Sequence, residues 1–208
     1  DDTTDDTLRV TLHLAAGRVV EENLGDASRA IELYLKVLVV IAATEEVHLE
    51  AARRVGPLLE AAGRRAEELV ARERVAELER EPDLRRSAFE KVAELASLLG
   101  EYDRAIFAWE SCLAENKADL PAHDGLIALL ERTGETSRLV SALRKRSDEQ
   151  PSEAERRADH VRVAMLLREK LGDSSQAIDE WRLVEATFGP SPEGTVALSE
   201  LLGETKRW

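Results

Sequence analysis

Cysteine, aromatic residues and long apolar runs are scarce in this chain of 208 residues. The single cysteine, Cys112, cannot form a disulfide within the chain, which favours a reducing compartment such as the cytoplasm. Aromatic residues make up 4% of the sequence, fewer than a compact α/β core usually holds, whereas abundant Ala, Leu, Glu and Arg are typical of helices. The longest apolar run, 37–43, is far shorter than the roughly 20 residues of a membrane-spanning helix. These shortages favour an all-α protein that does not insert into a membrane.

Positive charge is also in short supply. The chain has 29 Lys and Arg against 42 Asp and Glu, which gives a formal net charge of -13. At long range such a field repels phosphate backbones and anionic membrane surfaces. Nucleic acid is therefore not expected as a partner.

Recognisable catalytic motifs are missing as well. No Gly-rich phosphate loop, Cys-x-x-Cys pair or Gly-x-Ser-x-Gly elbow occurs. Glu45 and His48 form one Glu-x-x-His, but a di-iron bundle needs two such helices and further glutamates. The dipeptide His123-Asp124 resembles a fragment of a phosphohydrolase metal site without its other ligands, and we expect it on a helix surface. We predict no enzyme, no cofactor and no metal site, and keep a metal-dependent helical enzyme as a remote alternative.

What the sequence does contain is a repeated turn. A glycine is followed at once by Asp or Glu, by Ala-Ile five and six residues on, and by a large aromatic residue nine residues on. This pattern occurs at Gly25, Gly100 and Gly172, and weaker versions occur at Gly63, Gly134 and Gly203. Successive glycines are 38, 37, 34, 38 and 31 residues apart. A glycine with positive φ ends one helix and the acidic residue suits the first turn of the next, so each step predicts one helical hairpin.

Helix start signals support this division. Thr44, Pro82, Pro121, Ser152 and Ser191 all stand where a first turn is expected. Eleven helices are predicted, near 7–23, 26–42, 45–62, 64–80, 83–99, 102–116, 120–133, 136–149, 153–171, 174–188 and 192–202. Residues 1–6 lack the basic and apolar segments of a signal peptide, and we expect them to be a disordered acidic start. Gly56-Pro57 predicts a kink or break within the third helix.

The period and the turn pattern resemble the tetratricopeptide repeat, and the resemblance covers nearly all of 7–208. It implies an all-α fold, a right-handed α-solenoid of antiparallel helical pairs. The implied pairs are 7–43, 44–81, 82–117, 118–150, 151–189 and a truncated sixth from 190. Pentatricopeptide RNA binders and HEAT arrays are also built from helical pairs. The net negative charge of this chain disfavours the first, and the tight Gly-to-Ala-Ile turn disfavours the second. Trp208 stands five residues after Gly203, at the buried position of a following helix, so we expect the natural protein to continue beyond 208.

The resemblance also predicts which residues pack between helices. A small residue is expected seven before the turn glycine, as at Gly56 and Ala93. Gly17 and Ala164 stand eight before, which implies one extra residue at the end of those two first helices. The aromatic residues of the turns, together with Cys112, the histidines twelve before a glycine and most residues twelve after, are predicted to be core: Tyr34, Trp109, Trp181, His13, His160, Val37, Val75 and Val184. Arg146 breaks this rule, so we expect loose packing of the fourth pair.

In this family the first helix of each pair lines a concave groove that binds a segment of another protein. By its offset from each glycine we predict a partner groove that includes Arg18, Arg53, Glu90, Glu94, Asp124, Glu131, Met165 and Arg168. Further positions at the same offsets are Leu14, Glu21, Pro57, Glu60, Ser97, Ala128, Val161, Glu193, Ala197 and Glu200. The only asparagines, Asn23 and Asn116, are not at the offsets of the family's carboxylate clamp.

The acidic centre of this groove would favour a basic peptide segment, or would be only a solvated helix face. We thus predict a non-catalytic scaffold that binds a protein or peptide. The alternative is a structural spacer that self-associates through its terminal repeats.

Overall fold

The computed structural model describes residues 2–40 and 43–205, and nearly all of these residues are helical. Eleven α-helices and no strands occur within these ranges. The helices are α1 Asp2–Val19, α2 Ala27–Leu38, α3 Glu45–Ala61, α4 Arg65–Leu78, α5 Pro82–Leu99, α6 Tyr102–Glu115, α7 Leu120–Thr133, α8 Thr136–Glu149, α9 Glu153–Glu169, α10 Ser174–Phe188 and α11 Pro192–Thr205. Contacts group the chain into two compact units, unit one Asp1–Glu115 and unit two Asn116–Trp208. Within each unit consecutive helices pack on one another, which confirms the all-α prediction.

Five of the six predicted glycine turns are present. Gly25, Gly63, Gly100, Gly134 and Gly172 have φ between 64° and 79°, a left-handed conformation that residues with a Cβ rarely adopt. At Gly100 the next residue donates its backbone N–H to the carbonyl five residues back, from Glu101 to Ala96, at 2.9 Å. This bond closes the end of α5 and turns the chain into α6.

Two of the turns contain the extra residue that the sequence predicted. The residue after the glycine donates to the carbonyl six residues back: Asp26 to Val20 at 3.3 Å, and Asp173 to Leu167 at 2.8 Å. At the first of these turns the additional residue is accommodated in a π-helical turn, Val20–Leu24, which continues α1. The longer hydrogen-bonded loop lets both helices keep the spacing that their packing requires.

Polar caps begin several helices at the predicted positions. The Thr44 hydroxyl accepts the backbone N–H of Val47 at 3.4 Å, and the Ser191 hydroxyl accepts that of Gly194 at 3.1 Å. Asp173 caps α10 and also accepts the Gln176 side-chain amide at 2.7 Å. Such caps satisfy backbone donors that have no partner in the first turn of a helix.

The aromatic residues of the turns lie in the core, as predicted. Tyr34, Trp109 and Trp181 are 0%, 8% and 3% exposed. Cys112 is fully buried and donates weakly to the carbonyl of Arg86. The small residue eight before the turn is needed in unit one, because a Cβ on Gly17 would lie 2.6 Å from Tyr34 Cε1.

Three predictions about helix ends differ from the structure. Helix α1 begins at Asp2, not near residue 7, so the residues from 2 to 6 are helical. Helix α11 runs through Gly203 to Thr205, so the predicted sixth turn is wrong. A single glycine reduces helix stability by only about 1 kcal/mol, which does not end a helix whose Leu201 is buried. Helix α2 ends at Leu38, before the predicted end near residue 42. The predicted position of Trp208 lies outside the described residues.

Of the kink or break predicted at Gly56-Pro57, the break does not occur. Helix α3 continues through both residues to Ala61. Pro57 removes one backbone donor, but Val55 and Leu59 on either side are buried in the packing of the unit. Helices in proteins owe most of their stability to such packing rather than to each backbone bond.

Arg146, the residue that broke the packing rule, is neutralised in unit two. Its Nε donates to Asp159 at 3.0 Å, and its other nitrogens donate to Asp159 and Asp124. The Asp159 side chain is 3% exposed and that of Arg146 is 18% exposed. An arginine fits at this position because an acidic residue of the next helix, α9, is buried beside it.

Candidate protein-binding surfaces

The residues predicted to form a partner groove lie on the first helices of the hairpins. In unit one α1 bears Arg18, α3 bears Arg53, and α5 bears Glu90 and Glu94; in unit two α7 bears Asp124 and Glu131, and α9 bears Met165 and Arg168. None of the eight is buried. Leu14, a further residue at the same offset, is 6% exposed and belongs to the core.

Arginine–carboxylate pairs connect consecutive first helices within each unit. Arg18 on α1 donates to Glu50 on α3, and Arg162 on α9 pairs with Glu131 on α7. Arg168 on α9 donates to two carboxylates of α11, Glu200 at 2.9 Å and Glu204 at 2.7 Å. These pairs are about one repeat apart in sequence, so they hold neighbouring hairpins in register.

Most charges of the predicted groove are therefore already compensated. Asp124 and Glu131, two of the four carboxylates in its acidic centre, are bonded to Arg146 and Arg162. The other two, Glu90 and Glu94 on α5, have no ion pair in the part of the chain that the structure describes. Free negative charge at these positions is thus found in unit one, on α5.

A groove between α3 and α5 is a concave feature of unit one. It consists of two adjoining cavities of about 420 and 470 Å³, which share Pro57, Arg72 and Lys91. The first is also lined by Ala52, Arg53, Gly56, Val75, Glu79, Leu84, Ser87 and Ala88, and the second by Glu60, Arg65, Glu68, Glu94, Leu95 and Leu98. Volumes of this size are typical of ligand sites in proteins.

Small residues open this groove. Beyond its chain neighbours and its own helix, a Cβ built on Gly56 would meet no described atom within 4 Å, so α3 faces open space at this point. Across the groove α5 presents Ser87 and Ala88, and the large apolar side chains stand at the rim: Leu84 is 55% exposed and Leu98 is 75% exposed. The offsets along the sequence placed Arg53, Pro57, Glu60 and Glu94 in the partner groove, and all four line these cavities. The same offsets marked Gly56 as a packing residue, so they missed the open space there, whose signal was the absence of a side chain.

Buried carboxylates in the groove wall have their own donors. Glu79 accepts backbone N–H groups from Arg80 at 2.9 Å and Glu81 at 3.2 Å, and it pairs with Arg53. Burial raises the pKa of Glu79, but the N–H of Glu81, the Arg53 guanidinium and the N–H of Arg80 together hold that pKa below its usual value. Glu68, 2% exposed, accepts from Arg65 at 2.8 Å and from Arg72 at 2.6 Å.

The buried histidines are bonded within the fold. His48 donates from Nε2 to the carbonyl of Val40, and His123 donates from Nε2 to the carbonyl of Lys117, both at 2.9 Å. His123 is 2% exposed, so the prediction that it lies on a helix surface is wrong for His123, although Asp124 beside it is exposed. His160 Nδ1 lies 2.6 Å from Glu180 Oε1.

Neither a metal cluster nor a membrane-spanning helix is found in the described ranges. Over residues 2–40 and 43–205 no three His, Cys, Asp or Glu side chains are grouped so that they could hold a metal ion. None of the helices in these ranges combines the length and the apolar character needed to cross a bilayer.

The glycine turns, buried aromatic residues and consecutive helical pairs define a tetratricopeptide-like repeat fold. Solved structures with a similar arrangement include a MamA protein, with 17% identity, coverage of 86% of this chain and 91% of that chain, and a TM-score of 0.44. They also include YrrB, described as a TPR protein with an unusual peptide-binding site, with 14% identity, coverage of 90% and 89%, and a TM-score of 0.43. A MamA structure from Desulfovibrio magneticus RS-1 has 16% identity, coverage of 86% and 94%, and a TM-score of 0.42. No protein-family model and no curated protein sequence matches the chain.

Proposed function

We propose that this chain is a non-catalytic protein-interaction module, a scaffold or adaptor whose first helices bind a polypeptide segment of another protein. The observation that carries this proposal is the open groove between α3 and α5, with apolar side chains exposed at its rim. Concave sites lined by apolar and small side chains with a few polar groups are where proteins commonly bind ligands. The buried carboxylates Glu68 and Glu79 are bonded to arginines, and the buried His48 and His123 donate to backbone carbonyls, so these groups are committed to the fold.

A cationic segment is the partner that the acidic residues would favour. Within the predicted groove this proposal is supported by Glu90 and Glu94 on α5, since Asp124 and Glu131 already hold arginine partners. Complementary charge at exposed positions acts mainly on association rate and specificity and weakens with salt.

The test compares labelled peptides of equal length with basic, neutral and acidic sequences by fluorescence anisotropy at low salt. We expect basic peptides to bind more tightly to the wild-type chain than to the double variant Glu90→Gln/Glu94→Gln. Glu77→Gln on α4, an exposed carboxylate outside the groove, serves as the matched control and should leave binding unchanged. Equal binding of basic and neutral peptides to the wild-type chain would contradict a cationic partner.

Self-association is a second candidate, because α1 has apolar residues on two opposite faces. One face is core, with Val10 at 1% and Leu14 at 6% exposure. The other exposes Leu8, Leu12 and Val19 at 58%, 60% and 54%. Together with the exposed Ala15, these residues are spaced four, three and four apart, the spacing of a coiled-coil seam.

Sedimentation velocity over a range of concentrations tests this candidate. We expect a self-associating chain to become monomeric in the variant Leu12→Glu and to remain associated in Val70→Glu, which alters an exposed apolar residue of α4. A wild-type chain that is monomeric at all concentrations would exclude self-association and leave the role of a binding module.

A further inference from the structure

The residues that line the groove between α3 and α5 indicate which kind of peptide segment would fit in it. Its floor is formed by backbone and small side chains at Ala52, Gly56 and Ala88, with Val75 from α4. Apart from its chain neighbours and its own helix backbone, no atom of the described residues lies within 4 Å of a Cβ built on Gly56. An apolar side chain from outside would therefore be buried here without displacing anything except water.

The charged groups left free around this floor are hydrogen-bond donors. Glu79 is fully engaged by Arg53 and by two backbone N–H groups. Arg53 uses one terminal nitrogen for Glu79 and is 49% exposed, so its remaining N–H groups face solvent. Lys91 is exposed, lines both cavities and has no ion pair within the described ranges.

The charged side chains differ between the two cavities of the groove. Glu94 lies in the second cavity with Leu95 and Leu98, one helical turn beyond Lys91 on α5, and would repel an anion there. Arg53 lies in the first cavity, which Glu94 does not line. A carboxylate is thus favoured beside the first cavity and disfavoured beside the second.

We propose that the α3–α5 groove is an anchor site for a partner segment that inserts one large apolar side chain beside Gly56 and places a neighbouring Asp or Glu against Arg53 and Lys91. This inference rests on the proposed function and names the partner chemistry for that site. It differs from a purely cationic partner, because the apolar anchor supplies most of the buried contact and the carboxylate supplies orientation.

The experiment selects peptides from a random phage-displayed library on the immobilised full chain, and then measures the affinity of the enriched peptides for variants. We expect the enriched sequences to share a large apolar residue with Asp or Glu close by. Gly56→Leu should weaken their binding by about tenfold or more, because the new side chain occupies the cavity. Gly56→Ala is the matched control, which changes the same helix position but leaves most of the cavity open.

The charge contact is tested separately. Lys91→Glu should weaken the enriched peptides severalfold, and a peptide whose acidic residue is replaced by Gln should lose this sensitivity. Because Lys91 is exposed, this variant keeps its fold, which circular dichroism checks together with Gly56→Leu.

Two results overturn the inference, and they can be told apart. Enriched peptides that bind the Gly56→Leu variant as tightly as the wild type would show that they bind elsewhere on the chain. That result would support the proposed binding function and reject the anchor site. If no peptide is enriched on the wild-type chain above background, both the binding module and its anchor site are rejected.

Discussion

The structural role of a helical glycine depends on its surroundings, as Gly17 and Gly56 show. Both are glycines in the interior of a first helix, and both occupy the small-residue position before a turn. The Cβ of an alanine at 17 would lie 2.6 Å from the ring of Tyr34, whereas at 56 it would meet no described atom within 4 Å beyond its chain neighbours and its own helix. The first glycine is required by packing and the second leaves a groove.

The two glycines should respond differently to the same substitution. Gly17→Ala is expected to destabilise the protein by about 1–3 kcal/mol, because the tyrosine ring must shift. Gly56→Ala is expected to change stability by less than about 1 kcal/mol, because the lower backbone entropy of alanine is offset by contact of the new Cβ with the Pro57 ring. Urea unfolding followed by circular dichroism measures both. Equal effects of the two substitutions would contradict the different surroundings described.

Glu79, in the groove wall, makes a contribution to folding stability that depends on pH. Its pKa is lowered in the folded chain, so its contribution to stability is fully present above the unfolded-state pKa and is lost as the pH falls through the folded-state pKa. Glu79→Gln should destabilise the protein by about 1–3 kcal/mol at pH 7, since the hydrogen bonds to a charged acceptor are weakened. This difference from the wild type should shrink in acid, where the wild-type carboxyl is also neutral.

The control for Glu79 is Glu77→Gln, which changes an exposed carboxylate of the same segment. Its 58% exposed side chain pairs with Arg74, three residues back. Unfolding free energies at a series of pH values should show no comparable change for this variant. A Glu79→Gln curve parallel to that of the wild type down to low pH would contradict the lowered pKa.

At the scale of the element, the α5–α6 and α9–α10 hairpins each depend on a buried tryptophan. Trp109 of α6 and Trp181 of α10 are 8% and 3% exposed, in the same register after their turns. Replacing either by Ala should cost about 3–5 kcal/mol through lost burial and the cavity left behind. An unchanged melting temperature in either variant would show that the indole is not part of the core.

The hairpin of α7 and α8 depends on a buried ion pair instead. Removing one partner, as in Arg146→Met, should cost about 3–5 kcal/mol because it leaves the Asp159 carboxylate buried without its main donor. The double variant Arg146→Met/Asp159→Leu should recover much of this loss, since no buried charge remains. Arg80→Met, which removes an exposed partner of Glu45, should change stability by less than about 1 kcal/mol. Chemical denaturation of the four proteins tests whether Arg146 is tolerated because of Asp159.

At the scale of the whole molecule, the chain consists of two compact units with their own buried residues. The core of unit one includes Ile31, Tyr34, Leu59 and Leu69, all at 0–1% exposure. In repeat proteins stability is close to a sum of local terms and nearest-neighbour interfaces. The segments 1–115 and 116–208 should therefore each fold when produced alone, with helical circular dichroism and a cooperative melt. A segment that is unfolded on its own would contradict this prediction.

Much of the fold could be predicted because its signals are local. Five turn glycines, the extra residue before Gly25 and Gly172, and the burial of Tyr34 follow from spacing along the chain, which helix geometry converts directly into faces and turns. The predictions of helix ends failed where packing between helices determines the structure. Helix α3 continues through Pro57 and α11 continues through Gly203 because packing outweighs local helix preference.

The candidate site was predicted less well, for a physical reason. The offsets placed Glu90, Glu94, Asp124 and Glu131 on first helices, which the structure shows, but they could not reveal that Asp124 and Glu131 hold arginines of other helices. Such pairs depend on side chains that approach from segments about 20–30 residues away. The free carboxylates of the predicted acidic centre are therefore confined to α5.

The sequence by itself determined the helical hairpins, their turns and the residues that face the core, because these depend on the periodicity of a single helix. Only the tertiary structure decided that Gly56 borders an open groove, that Arg146 is neutralised by Asp159, and which acidic side chains remain free. Those properties depend on the distance between side chains of different helices, which no spacing along the chain specifies.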